Sequence, residues 1–315
     1  DVTFTAANLD NLTVTGGGVI NGTAVTGNIV GGRYVAAGAI TFDKAATIAS
    51  ASFDSSNVVT LKTLTGNIEL VDVKGNDGAS LTSAAGIDGS TIIANHGNVT
   101  LTAAQIADST ITAQTGNVDF NTSGDLYNLT VTAGGVIDGT DVTGNIVKGS
   151  YLATGNITFD KAATIASASF DSSNVVTLKT LTGNIELVDV KGNDGASLTS
   201  AAGIDSATVV ANHGDVTLSA VHIVSSKVTA EDGAASLTAT GVPGVPGLIA
   251  NTIVGATGDV TFTAANLDNL TVTGGGVING TAVTGNIVGG RYVAAGAITF
   301  DKAATIASAS FDSSN

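Results

Sequence analysis

Residues 97–120, GNVTLTAAQIADSTITAQTGNVDF, decide the fold. Val99 and Leu101 alternate with Thr100 and Thr102, a bend follows, and Thr110-Ile111-Thr112 alternates again. Gln114-Thr115-Gly116-Asn117 then turns the chain into Val118-Asp119-Phe120, where the pattern restarts. Alternation of period two marks short strands with one buried face, and Gly-Asn is turn chemistry. The pattern returns after 19 residues, from Gly97 to Gly116.

The same measure extends in both directions. From Gly38 the chain divides into six segments of 19, 20, 20, 19, 20 and 19 residues, each opening on a Gly, Asn, Asp or Val turn. A segment of this size cannot enclose a core alone. It gains one by hydrogen bonding to the segments before and after it, at about 4.8 Å per layer. The expected fold is all-β: a parallel β-helix, or β-solenoid, of about 19–20 residues per turn and about 16 turns, running continuously over residues 1–315. Each turn supplies two or three strands, and at that layer spacing the stack is a rod of roughly 75 Å. Ile40 and Phe42, Val59 and Leu61, Val99 and Leu101, and Val118 and Phe120 are its expected apolar columns.

Longer repeats overlie the short one. Residues 1–57 return letter for letter as 259–315, an offset of 258, and residues 40–88 return as 157–205, an offset of 117. Such copies point to recent duplication within a longer parent chain. One turn, Gly233 to Thr257, has 25 residues, and its surplus falls at 241–247, GVPGVPG. Pro243 and Pro246 are the chain's two prolines. Proline has no N–H for a ladder, so this insertion is expected to loop out of the wall as a protruding loop.

Composition agrees with a repetitive β protein and narrows the function classes. There are 41 Gly, no Cys, no Met and no Trp, and the net charge is −15 with 11 Lys plus Arg. No basic run offers a footprint for nucleic acid or an anionic membrane. Without cysteine there is neither a disulfide framework nor a thiolate metal site. No segment has the roughly 18 consecutive apolar residues of a membrane span.

Candidate chemistry is sparse. His96 and His213 are one position in two copies, each followed by a turn Gly, and with His222 they lack a second ligand at metal spacing. Asp43, Asp54, Glu69, Asp72, Asp77 and Asp88 recur as Asp160, Asp171, Glu186, Asp189, Asp194 and Asp205. A hydrolytic acid pair built from them would exist twice, which suits a scaffold better than an enzyme. No cofactor is expected. Lys74-Gly75-Asn76-Asp77-Gly78 is turn sequence rather than a periodic Ca²⁺ nonapeptide, leaving only adventitious Ca²⁺ at acidic turns. The threonines of Leu12–Thr15 and Val99–Thr102 are not expected to share one register, because Asp119, Glu69 and Asp72 interrupt them. If rods bundle, Arg33, Tyr34, Tyr127, Tyr151, Arg291 and Tyr292 are the expected lateral contacts, since aromatics and arginine are enriched at interfaces.

The repeat of residues 97–120, with its Gly-Asn/Asp-Val-Thr/Asp-Leu/Phe signature at Gly97, Gly116, Gly214 and Gly258, resembles those of filamentous haemagglutinin-type adhesins. These are the large bacterial exoproteins of two-partner secretion. The resemblance implies a right-handed β-helical shaft on the outer cell surface and attachment to host cells, neighbouring cells or matrix. The near-identity of the copies points to a uniform structural fibre or sheath whose partner is itself, end to end and by lateral bundling. The alternative is a spacer shaft whose binding head lies elsewhere.

Overall fold

The computed structural model describes residues 1–241 and 247–314. Its elements are all strands, and they form three sheets of 16 strands. In each sheet a strand pairs with the third strand after it in sequence, so every turn gives one strand to each sheet. The fold is a parallel β-solenoid of about 16 turns, as the sequence led us to expect, with three strands to a turn. The chain divides into two compact units, Asp1–Phe159 and Asp160–Asn315.

In unit 1 the turn that opens at Gly97 runs through Val99–Ala103 in sheet A, Gln105–Ala107 in sheet B and Thr110–Ala113 in sheet C. Register carries each apolar residue onto another. Val99 and Leu101 pair with Val118 and Phe120, Ile106 pairs with Leu126, and Ile111 pairs with Val131. All of these side chains are buried, most with no exposed surface. At about 1.5–3 kcal/mol for each fully buried large aliphatic or aromatic side chain, this stacked interior is the chief stabilising term.

Two local devices hold the period. The first is a corner between sheets B and C at which one residue takes a left-handed conformation. In unit 1 these are Asn11, Gly31, Ser50, Leu70, Gly89, Asp108, Asn128 and Lys148, with φ between 47° and 66°. In unit 2 they are Ser167, Leu187, Ser206, Ser225, Ala250, Asn269, Gly289 and Ser308. Neighbouring corners within a unit lie 19 or 20 residues apart, except for the step of 25 from Ser225 to Ala250 that contains the insertion. That conformation costs an L-residue roughly 1–2 kcal/mol, least for Asn, Asp and Gly.

The second device is a side-chain ladder. Asn98 Oδ1 accepts from the Asn117 N–H at 2.9 Å, and Asn117 Oδ1 accepts from the Val136 N–H at 3.0 Å. At another corner Asn8 accepts from Asn28 and Asn67 from Gly86. Unit 2 repeats both, with Asp215 on Ala234, Asp259 on Val277, Asn184 on Gly203 and Asn266 on Asn286. The Asn or Asp of the repeated signature thus satisfies a backbone N–H one turn further on.

Where the insertion leaves the wall, Gly241 N–H donates to Val221 O at 3.0 Å, and Ile223 N–H donates to Gly247 O at 2.9 Å. Pro243 and Pro246, the expected protruding loop, lie outside the described residues.

Candidate functional site

The six expected lateral contacts separate into two groups. Tyr34, Tyr151 and Tyr292 are 0–1 % exposed, so they are core residues and not surface contacts. The reason is register. Tyr34 pairs with Val14 and Phe53, and Tyr292 with Val272 and Phe311, which places the rings in the inward column of sheet C. Tyr34 stacks on Phe53 with centroids 5.1 Å apart and meets Phe42 edge-on at 5.3 Å. The hydroxyls of Tyr34 and Tyr292 find no hydrogen-bond partner. Burial pushes the Tyr34 phenol up to about 12, and raises those of Tyr151 and Tyr292 as well.

Arg33, Arg291 and Tyr127 do reach the surface. Arg33 lines a shallow depression on sheet C with Asp54, Asp72 and Lys74, beside its own register partner Ser52. Tyr127, 38 % exposed, receives a hydrogen bond from Lys148 Nζ at 2.7 Å, and that ammonium lies 4.9 Å from the ring centroid. The hydrogen bond raises the Lys148 pKa.

The largest exposed apolar groups are ones that sequence reasoning missed. Leu70 and Leu187 are 64 % and 62 % exposed, and both occupy the left-handed corner. Leu64 and Leu181, at the preceding bend, are half exposed. The duplication thus carries the exposed Leu64 and Leu70 of unit 1 into unit 2 as Leu181 and Leu187, while Leu152 and Ile306 are almost as exposed as Leu64, at 47 % and 49 %. A leucine held in a conformation that favours Asn or Gly is an outlier, and in unit 1 its Cδ2 lies close over the Gly89 corner of the next turn. Such an outlier directs attention to a contact.

Asp119 and Asp138 sit opposite one another in sheet A. Partial burial raises the Asp119 carboxyl, Asp138 adds to this, and a hydrogen bond from Thr100 opposes it. Asp43 and its copy Asp160 each bury one carboxylate oxygen without a hydrogen-bond partner. His213 Nδ1 lies 2.9 Å from Asp232 Oδ2 on an open surface. Among the described residues no three His, Cys, Asp or Glu side chains are grouped to hold a metal ion, and no helix is long and apolar enough to cross a membrane.

The two threonine stretches do not share a register, as expected: Thr13 and Thr15 lie on sheet C, paired with Arg33 and Val35, and Thr100 and Thr102 lie on sheet A. Thr100 and Thr102 do meet Asp119 and Asn121 in the next turn, but on sheet C Thr110 and Thr112 lie in register with Thr130 and Thr132. Of the residues expected to interrupt them, Asp119 belongs to sheet A and Glu69 to sheet B, leaving only Asp72 on sheet C.

Comparison of the chain with protein-family profiles, with curated proteins and with solved structures finds no match.

Proposed function

We propose that this chain is a non-catalytic, structural segment of a giant secreted fibre or sheath at the cell surface, and that it associates laterally with copies of itself. The observation that carries the reading is the duplicated set of exposed leucines, Leu64 and Leu70 repeated as Leu181 and Leu187, of which Leu70 and Leu187 also hold a left-handed conformation. The exact copying of the wall supports it too, because a fibre gains from regenerating one contact surface while an enzyme needs one singular site. The net charge of −15 opposes bundling, so bundling needs apolar contacts, with the repulsion between chains screened by salt.

The second reading is a spacer shaft of a two-partner-secretion adhesin, favoured by the repeated Gly-Asn/Asp-Val signature. It uses the same core and needs no lateral contact. Analytical ultracentrifugation at physiological salt separates the two. Self-association that disappears in the Leu70→Asn/Leu187→Asn chain supports the fibre. A monomeric wild-type chain at high concentration supports the spacer.

A further inference from the structure

Across sheet A of unit 2, four successive strands, Gly195–Ser200, Val216–Ala220, Ala235–Ala239 and Val260–Ala264, share one outward pattern. Each presents a hydroxyl, turns the next side chain inward and presents a second hydroxyl. Register sets these into two columns. In the first, Ser197 pairs with Thr217, Thr217 with Ser236 and Ser236 with Thr261. In the second, Thr199 pairs with Ser219, Ser219 with Thr238 and Thr238 with Thr263. No register shift interrupts the pairing of these four strands. The residues between the columns, Leu198, Leu218, Leu237 and Phe262, are fully buried, so each hydroxyl stands on a backbone held from beneath.

The array has clear ends. One turn earlier, Lys179 is the register partner of Thr199. One turn later the pairing slips, and Asn279 and Ala282 meet Thr261 and Thr263. Unit 1 supplies a comparison. There Ser80 and Thr82 pair with Thr100 and Thr102, but the following turn presents Asp119 and Asn121. Ser236 and Thr238 stand in their place 117 residues further on. A chain of net charge −15 thus gathers eight hydroxyls with no charged side chain among them. Among the described residues none of the eight has a hydrogen-bond partner within the chain, whereas the inward Thr180 and Ser200 bond to each other at 3.1 Å.

The spacing is that of a lattice in two dimensions. Neighbouring positions are about 4.8 Å apart along a column and about 6.6–6.8 Å apart across a strand, twice the rise per residue. These perpendicular repeats are close to those of the oxygen atoms in hexagonal ice along its a and c axes.

We propose that the hydroxyl array on sheet A of unit 2 binds the surface of ice. A crystal of ice presents oxygens at fixed intervals, each able to donate and to accept, as serine and threonine hydroxyls are. One such contact is worth little against liquid water. Eight on a rigid face act together, because the first contact brings the others to their partners, and the sheet fixes their positions beforehand. Threonine, which fills five of the eight positions, is also stiff at χ1. A charged side chain would impose its own strong hydration on that lattice, and the array contains none.

The test measures thermal hysteresis and inhibition of ice recrystallisation with the full 315-residue chain. Wild type should hold the freezing point of a seeded solution below its melting point, increasingly so with concentration, and should facet the crystal. Ser236→Asp/Thr238→Asn installs the pair that unit 1 already carries at the matching positions and should lower the hysteresis several-fold at equal concentration. Thr130→Asp/Thr132→Asn makes the same chemical change on sheet C of unit 1 and should leave the hysteresis at the wild-type value. Far-UV circular dichroism and the unfolding midpoint check that both variants fold. Neither hysteresis nor recrystallisation inhibition in wild type, or full activity in the folded sheet A variant, overturns the proposal. Equal loss in both variants overturns it as well, by assigning the effect to charge and not to the array.

Discussion

Replacing Tyr34 with phenylalanine removes one oxygen and leaves the ring contacts with Phe42 and Phe53 in place. That oxygen is buried and unpartnered, and such a hydroxyl costs about 1–3 kcal/mol in mutational series. Tyr34→Phe should therefore stabilise the fold by about 1 kcal/mol at neutral pH. The gain should widen in alkali. The unfolded phenol titrates near 10, whereas in the fold it is pushed up to about 12. The native state thus keeps a proton that the unfolded state loses, and the tyrosine's contribution is fully present below pH 10. It declines as pH rises towards 12, by about 1.4 kcal/mol for each pH unit. Denaturant unfolding followed by circular dichroism at pH 7, 10 and 11 measures both terms, with the variant's advantage growing by about 1 kcal/mol between pH 10 and 11. Loss of stability in the variant at pH 7 would mean that the hydroxyl does have a partner. An advantage that stays constant up to pH 11 would refute the burial argument.

Three further outcomes follow from packing and register. Gly139→Ala places a Cβ against the Phe159 ring, and such overpacking should lower the unfolding free energy, measured by denaturant titration, by about 1–3 kcal/mol; the same holds for Gly22 and Phe42. Asn117→Ala strips the acceptor from the Val136 N–H and should cost about 0.5–1.5 kcal/mol, with faster amide exchange at Val136 as a local reporter. Asp119→Asn should stabilise by a few tenths to about 1 kcal/mol at pH 7 by removing a like charge opposite Asp138. Because the Asp119 carboxyl is raised in the fold, wild type recovers as it protonates, and the difference should vanish below about pH 4.

The solenoid was legible because its two period-setting devices leave letters behind. The ladder requires Asn or Asp at a fixed place, hence Asn98, Asn117, Asp215 and Asp259. The left-handed corner favours Asn, Asp, Ser or Gly, hence Asn11, Ser50, Gly89 and Asp108. The surface was less legible. Tyr34 and Tyr292 were assigned outward on residue type, although alignment with Val14, Phe53 and Phe311 places them in an inward column. Leu70 was hidden for the converse reason. In Ile68-Glu69-Leu70-Val71 it reads as one more core letter, and only its alignment with Ser50 and Gly89 marks it as a corner.

The central claim is lateral self-association of stacked turns, and electron cryomicroscopy of the native, full-length material tests it most directly. The account predicts layers about 4.8 Å apart in ordered bundles or walls, with Leu70 and Leu187 at the contacts between neighbouring chains. Separate, unbundled shafts ending in a distinct tip, with those leucines facing solvent, would contradict it.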